Sequence, residues 1–166
     1  MSLQEETSAL VSEISPTNIN WLTNFLIIGE PPLESVIREA SEEASLPVSY
    51  MAKHIRSAGS IVFSHRSPAG WLLPGFYHTF ELPLPADLSV SPKVNLKDGE
   101  VESFELLDVQ ECFDKLIAGK FKPSSALAIL NFMVRGGLYT PEVDAGYDAV
   151  LEAMCKGNRY NASTID

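Results

Sequence analysis

Gly29-Glu30-Pro31-Pro32-Leu33-Glu34-Ser35-Val36-Ile37-Arg38-Glu39-Ala40-Ser41-Glu42-Glu43-Ala44-Ser45-Leu46 is the stretch from which the rest of the chain is best read. Its two prolines suit a helix start, and an uninterrupted helical pattern follows from Leu33 to Leu46. Leu33, Val36, Ile37, Ala40 and Ala44 recur at spacings of three and four, which marks the side turned to the core. Glu39, Glu42 and Glu43 fall on the complementary side, where residues three and four apart are neighbours. Like charges so placed destabilise an isolated helix by roughly 0.2–0.5 kcal/mol per pair, and a cation removes that repulsion. Carboxylate oxygens are hard ligands of the kind magnesium takes, with water and substrate phosphate completing its shell. Arg38 can pair with a carboxylate and hold it in place. The ordinary reading of such a helix is a solvated acidic face, so the spacing of the whole stretch has to carry the functional one.

Upstream, Leu3, Leu10, Val11 and Ile14 suggest a short helix ended by Ser15-Pro16-Thr17-Asn18, and Ile19 to Ile28 reads as a buried strand. Downstream, Ile55 to Ser64 and Trp71 to Leu82 are apolar, β-branched and aromatic around the turn residues Ser67-Pro68-Ala69-Gly70, which predicts a hairpin. Pro83 to Gly99, with Pro83, Pro85, Pro92 and Asp98-Gly99, reads as a loop. A strand is expected over Val101 to Leu107, followed by a helix from Val109 to Ala118 capped by Asp108 and stopped by Gly119. A second helix capped by Ser124 or Ser125 reaches Val134, a last one spans Pro141 to Met154, and the tail frays. Strands mixed with helices predict an α+β or α/β fold. The organisation expected is a leader over 1–18, one domain over 19–140, and a C-terminal helix and tail over 141–166.

Composition narrows the function. The chain has 166 residues, 45% of them apolar, a formal charge of −10 and a pI near 4.7. Such an acidic surface has no sequence-independent grip on nucleic acid polymers or anionic membranes, so a phosphate-handling role requires metal. No apolar run approaches the roughly 20 residues of a membrane span. Cys112 and Cys155 are too few and too separated for a zinc site or disulfide framework, and a reducing, cytoplasmic setting is expected.

Glu30, then seven residues, then Arg38-Glu39-Ala40-Ser41-Glu42-Glu43-Ala44-Ser45-Leu46 resembles the Nudix box, which Glu30, Arg38, Glu39, Glu42, Glu43 and Leu46 match in type and spacing. Asp98-Gly99-Glu100-Val101-Glu102-Ser103-Phe104-Glu105-Leu106, Gly119 to Pro123 and Gly136 to Pro141 extend the resemblance to the fungal and plant Nudix proteins related to thiamine pyrophosphokinase. It implies an α/β/α sandwich, a mixed sheet between helices, and magnesium-assisted (or manganese-assisted) hydrolysis of a diphosphate joined to an organic moiety. In this branch that moiety belongs to a thiamine diphosphate derivative, and in related proteins to an oxidised nucleotide such as 8-oxo-dGTP. Carried over, Glu39, Glu42 and Glu43 match the metal-binding glutamates, and Glu100 matches a further glutamate that binds metal or acts as base.

Two departures temper the expectation. Thr23-Asn24 replace paired glycines before the helix and Ser45 replaces a later one, where positive φ is easier for glycine. The family's strands ahead of the box are represented here by about two dozen residues, so the fold is expected to be N-terminally incomplete, with an open sheet edge that favours a homodimer. The alternative to a hydrolase is therefore a degenerate domain that binds a phosphate ligand or a protein partner without turnover. A kinase is disfavoured because no phosphate-cradling glycine loop is present.

Arg66, with Arg38, is the candidate contact to substrate phosphate, and Lys93 and Lys97 are weaker ones. His54, His65 and His78 lack partners at ligand spacing. Trp71, Phe76, Tyr77 and Phe80 can stack on a heteroaromatic ring, although aromatic strands usually pack core. Phe113, Leu116, Ile117, Leu127, Leu130 and Phe132 are assigned to the core.

Overall fold

The computed structural model describes residues 6–11, 18–24, 31–66, 72–97 and 101–156. The fold is α+β: an open, mixed, five-stranded sheet with five helices among the described residues. The strands are β1 (Glu6–Val11), β2 (Asn18–Asn24), β3 (Arg56–Arg66), β4 (Leu72–Leu84) and β5 (Val101–Leu107), in the order β3-β4-β2-β1-β5. β2 lies antiparallel to β1 and β4, with Leu22 opposite Phe80, while β1 runs parallel to β5, with Leu10 opposite Leu106. The helices are α1 (Pro32–Ala44), α2 (Val48–His54), α3 (Val109–Ile117), α4 (Pro123–Arg135) and α5 (Tyr147–Lys156).

Contacts divide the chain into two compact units, one of Met1–Gly59 with His78–Lys122 and the other of Ser60–Tyr77 with Pro123–Asp166. In the first, β4 alternates as a half-buried strand should: Phe80, Leu82 and Leu84 are buried, and Glu81 and Pro83 are half-buried. Leu82 and Leu84 meet Ala40, Ala44, Leu46 and Met51 in one cluster, against which Ile37, Tyr50, Ile55, Val90 and Phe104 pack. Helix α1 thus turns its alanine and valine stripe to the core. The Tyr50 hydroxyl donates to the Pro83 carbonyl at 2.8 Å and fastens α2 to β4. On α3, Asp108 accepts from the Glu111 amide while the Glu111 carboxylate accepts from the Asp108 amide, the capping box that secures the helix start. Cys112, on the same helix, is fully buried, and burial pushes its thiol up to about 11.

In the second unit, α4 buries Ala128, Ile129, Phe132 and Met133. Tyr139 is buried beside it and donates its hydroxyl to the Asp144 carboxylate at 2.7 Å, while the Gly146 amide donates to the same carboxylate at 2.7 Å. Burial first, and then the Asp144 carboxylate, push the Tyr139 phenol up to about 12 from its ordinary 10.0. A group with a raised folded value contributes stability in full below its unfolded value and loses it as pH climbs through the folded one. Urea titrations at rising pH are therefore expected to show stability falling between about pH 10 and 12. Tyr139→Phe is expected to flatten that limb, and an unchanged limb would contradict this account.

Several expectations are corrected. Leu10 and Val11 lie in β1, not in a helix: a short apolar run is ambiguous by periodicity, and parallel pairing with β5 decides it. Leu3 and Ile14 fall outside the described residues. Two strands, β1 and β2, thus precede residue 29 where one was expected. Helix α2 was not expected at all. Pro83 belongs to β4, in register with Ile19 of β2, and not to the loop that follows. Helix α4 starts at Pro123 itself, so Ser124 and Ser125 sit in its first turn and are not its caps. The last helix begins at Tyr147, because residues 141–146 form turns around Asp144. Ile117 is 74% exposed at the last position of α3, so it is not core, and Phe76 is 58% exposed on β4.

Candidate functional site

The helix that holds the candidate residues is fixed at both ends and along one side. Pro32 lies at its first position, with the Glu34 and Ser35 amides donating to the Pro31 carbonyl at 3.0 Å. Val36, Ala40 and Ala44 are buried at 2–3% exposure, which leaves Glu39, Glu42 and Glu43 on the remaining surface. The expected core stripe is present in Val36, Ala40 and Ala44, with Ile37 half-buried, but Leu33 in the first turn is 46% exposed and does not belong to it.

Arg38 organises that face. One of its nitrogens donates to the Glu42 carboxylate at 2.9 Å, and the other reaches the Glu39 carboxylate at 3.3 Å. The Glu42 side chain is 58% exposed and that of Glu39 26% exposed. An exposed pair of this kind adds only about 0.3–0.5 kcal/mol to helix stability, so its consequence is orientation. The guanidinium stands between two of the three candidate metal ligands and pairs with both, as the sequence suggested it could. Glu43 is half-buried.

At the C-terminal end, Ser45 adopts the left-handed conformation, φ 52 and ψ 29, with its amide and that of Leu46 donating to the Ala40 carbonyl. This is the position where the resemblance calls for glycine. Serine keeps the backbone path and bears the steric cost of its Cβ, of order 1–2 kcal/mol. Ser45→Gly is accordingly expected to raise stability by roughly 1 kcal/mol or less, part of the relief being offset by the entropy of a more flexible unfolded chain. Chemical denaturation of the two proteins measures it, and a destabilised glycine variant would show the strain to be absent.

Residues 85–97 close over this end. The Lys93 amide donates to the Ala44 carbonyl at 2.8 Å, and the Asn95 side-chain amide donates to the Glu42 carbonyl at 2.6 Å. The Asn95 oxygen in turn accepts from the Lys97 amide at 3.1 Å. Sequence reasoning passed over Asn95, since nothing local marks a contact made with a residue so far back in the chain.

The remaining candidates are dispersed. Glu100 and the side chains of Arg66, His65 and Trp71 lie outside the described residues, as do Gly29 and Glu30. His54 is exposed and stacked on Tyr50, ring centroids 4.3 Å apart, and His78 is half-buried on β4. Among the described residues, no set of three or more His, Cys, Asp or Glu side chains is gathered so as to hold a metal ion. Glu39, Glu42 and Glu43 therefore share a helix face without converging, Arg38 drawing two of them to itself. Their oxygens are hard donors in type, but among the described residues they are not gathered into a set that holds a cation.

A shallow depression of about 540 Å³ is lined by Glu105, Leu106, Leu107, Glu111, Asp114 and Lys115, apart from the glutamate face. Its charged groups are already engaged, Lys115 with Glu105, Glu111 with Asp108, and Asp114 with Gln110.

No protein-family model matches the chain. It is 32% identical over 131 residues to Uncharacterized protein YJR142W of Saccharomyces cerevisiae, an alignment covering 73% of this chain and 37% of the yeast protein. The chain thus spans little more than a third of the length of the curated relative it matches. No helix among the described residues is long and apolar enough to cross a membrane.

Proposed function

We propose that the chain is a Nudix-type, magnesium-dependent pyrophosphohydrolase acting on a diphosphate linked to an organic moiety, a thiamine diphosphate derivative or an oxidised nucleotide such as 8-oxo-dGTP. The observation that carries this reading is the acidic face of α1, where Glu39, Glu42 and Glu43 stand opposite a buried stripe with Arg38 bridging two of them. Glu39, Glu42 and Glu43 would hold the metal. Bound magnesium supplies charge neutralisation to diphosphate oxygens and a lowered pKa to water. Arg38 orients Glu39 and Glu42, and a glutamate of the site, among them Glu100 by resemblance, takes the proton of the attacking water. The substrate class rests on the resemblance, as does the assignment of Arg66 to substrate phosphate.

The experiment is release of monophosphate from thiamine diphosphate analogues and nucleoside di- and triphosphates, with and without magnesium. Metal-dependent release from one of these classes supports the reading, and its absence from all of them overturns it. A second reading, a degenerate Nudix domain that binds a phosphate ligand or a protein partner without catalysis, is favoured by one observation: among the described residues the carboxylates do not gather into a metal-holding set. Ligand-induced stabilisation without turnover would select it.

A further inference from the structure

The sheet ends on one side at β5, a strand of the first unit, and among the described residues no strand lies beyond it. In such a strand every second residue turns its N–H and C=O outward, a row that templates the pairing of another chain. Proline and lysine are common blocks to that pairing, and Val101-Glu102-Ser103-Phe104-Glu105-Leu106-Leu107 contains neither. The strand is well seated on its other sides. Phe104 packs on the core cluster, Val101 and Leu107 are buried, and β1 pairs with it from Ser8 to Val11. A template already ordered lowers the entropy cost of adding a segment to it.

The depression beside α3 follows this edge. It touches the consecutive residues Glu105, Leu106 and Leu107, whose side chains leave alternate faces of the sheet, so it runs along the rim of the strand and not over one face. Lys115 of α3 pairs with Glu105, which puts α3 on the Glu105 face and turns Leu106, 50% exposed, to the other. An added strand therefore meets carboxylates with one set of alternate residues and Leu106 with the next. Three carboxylates line the depression, Glu105, Glu111 and Asp114, against the one ammonium of Lys115. Glu111 and Asp114 take hydrogen bonds from the neutral amides of Asp108 and Gln110, which orient a carboxylate without neutralising it. Within the depression two negative charges are left over. A second copy of this chain, with its formal charge of −10, would bring the same carboxylates against these if two β5 edges paired about a twofold axis. A basic segment gains where that copy loses.

We infer that the outer edge of β5 is a docking site for an extended segment of a partner protein in which basic residues alternate with apolar ones, added to the sheet as a further strand. Backbone hydrogen bonds to β5 supply the grip, Glu111 and Asp114 receive the basic side chains, and Leu106 receives an apolar one. The inference does not depend on the hydrolase reading of α1.

The test is titration of a fluorescent peptide of alternating lysine and valine, as long as the seven residues of β5, with the full chain. The same peptide N-methylated at its lysines or at its valines, and a glutamate–valine peptide, are run beside it, and hydrogen exchange of the chain is followed with and without peptide. The lysine–valine peptide is expected to bind and to slow exchange in β5, the glutamate–valine peptide to fail, and one of the two methylated forms to fail, because one alternate set of its N–H groups faces β5. Asp114 is exposed and its partner is a neutral amide, so Asp114→Asn and Asp114→Lys are expected to keep the native unfolding temperature and to weaken binding about three- to tenfold. Binding that survives both methylations is charge attraction without strand pairing and overturns the inference. So do the absence of binding, protection elsewhere than β5, and native affinity in both Asp114 variants. Protection of β5 in the chain alone, with a mass that doubles on concentration, assigns the edge to a second copy and overturns it as well.

Discussion

Leu82→Ala is expected to cost about 2–5 kcal/mol of stability, a large part of the total for an ordinary domain. Leu82 is fully buried on β4, in a cluster with Ala40 and Ala44 of α1, Leu46, Met51 of α2, and Leu84. Truncation removes methyl and methylene groups from water-excluded contact and leaves a void that backbone on both sides hinders from collapsing. Because the two alanines opposite have no side chain to extend into the gap, the cost should lie toward the upper part of the range. Amide hydrogen exchange locates the effect: protection should fall first in α1, α2 and β4 of that unit. A variant with native exchange rates in α1 would mean that this cluster does not support the helix. The consequence reaches the site, since the buried side of α1 rests on the same cluster from which Leu82 is cut.

The sequence was most readable where two independent signals coincided. Helix α1 announced itself through Pro31-Pro32 and through apolar spacing that continued for three turns. Helix α3 did so through Asp108 at its start and Gly119 at its end, and β5 followed the turn residues Asp98-Gly99. Elements held by distant partners were hidden. Helix α2 has seven residues and one buried side chain, Met51, and it depends on a hydrogen bond from Tyr50 to Pro83. β1 is six residues long and takes its identity from a strand near the other end of the domain's sequence.

The same division holds at the site. The identity and spacing of the glutamates were legible because helical geometry alone puts them on one face. Arg38 was legible as a pairing residue, but its simultaneous hold on Glu39 and Glu42 depends on rotamers that spacing does not specify. Ser45 shows the limit most plainly. Sequence favours glycine at a left-handed position, and the structure has serine there because the Ala40 carbonyl bonds and the packing of Leu46 impose the conformation. Asn95 lay outside local reasoning altogether, since it acts on a carbonyl of α1 across the fold.

On the proposed reading, Glu42→Gln is expected to lower kcat/KM for diphosphate hydrolysis by roughly 10²–10⁴-fold, or about 3–5 kcal/mol of transition-state stabilisation, while leaving the fold intact. The substitution removes one negative charge and keeps the shape. Its structural cost is confined to the Arg38 pair, one side of which is 58% exposed, so the change in stability should stay within about 0.5 kcal/mol. That separation is what makes the variant informative. A loss of activity of this size with an unchanged unfolding midpoint assigns the carboxylate a chemical role, because no packing or capping interaction is lost. The position within the site adds a second check. Glutamine cannot neutralise Arg38, and added magnesium should recover little of the rate if Glu42 serves as base, but a larger share if it serves as ligand. Equal rates in native and variant proteins would remove the Glu42 carboxylate from the reaction and sink the assignment of the chemistry to α1.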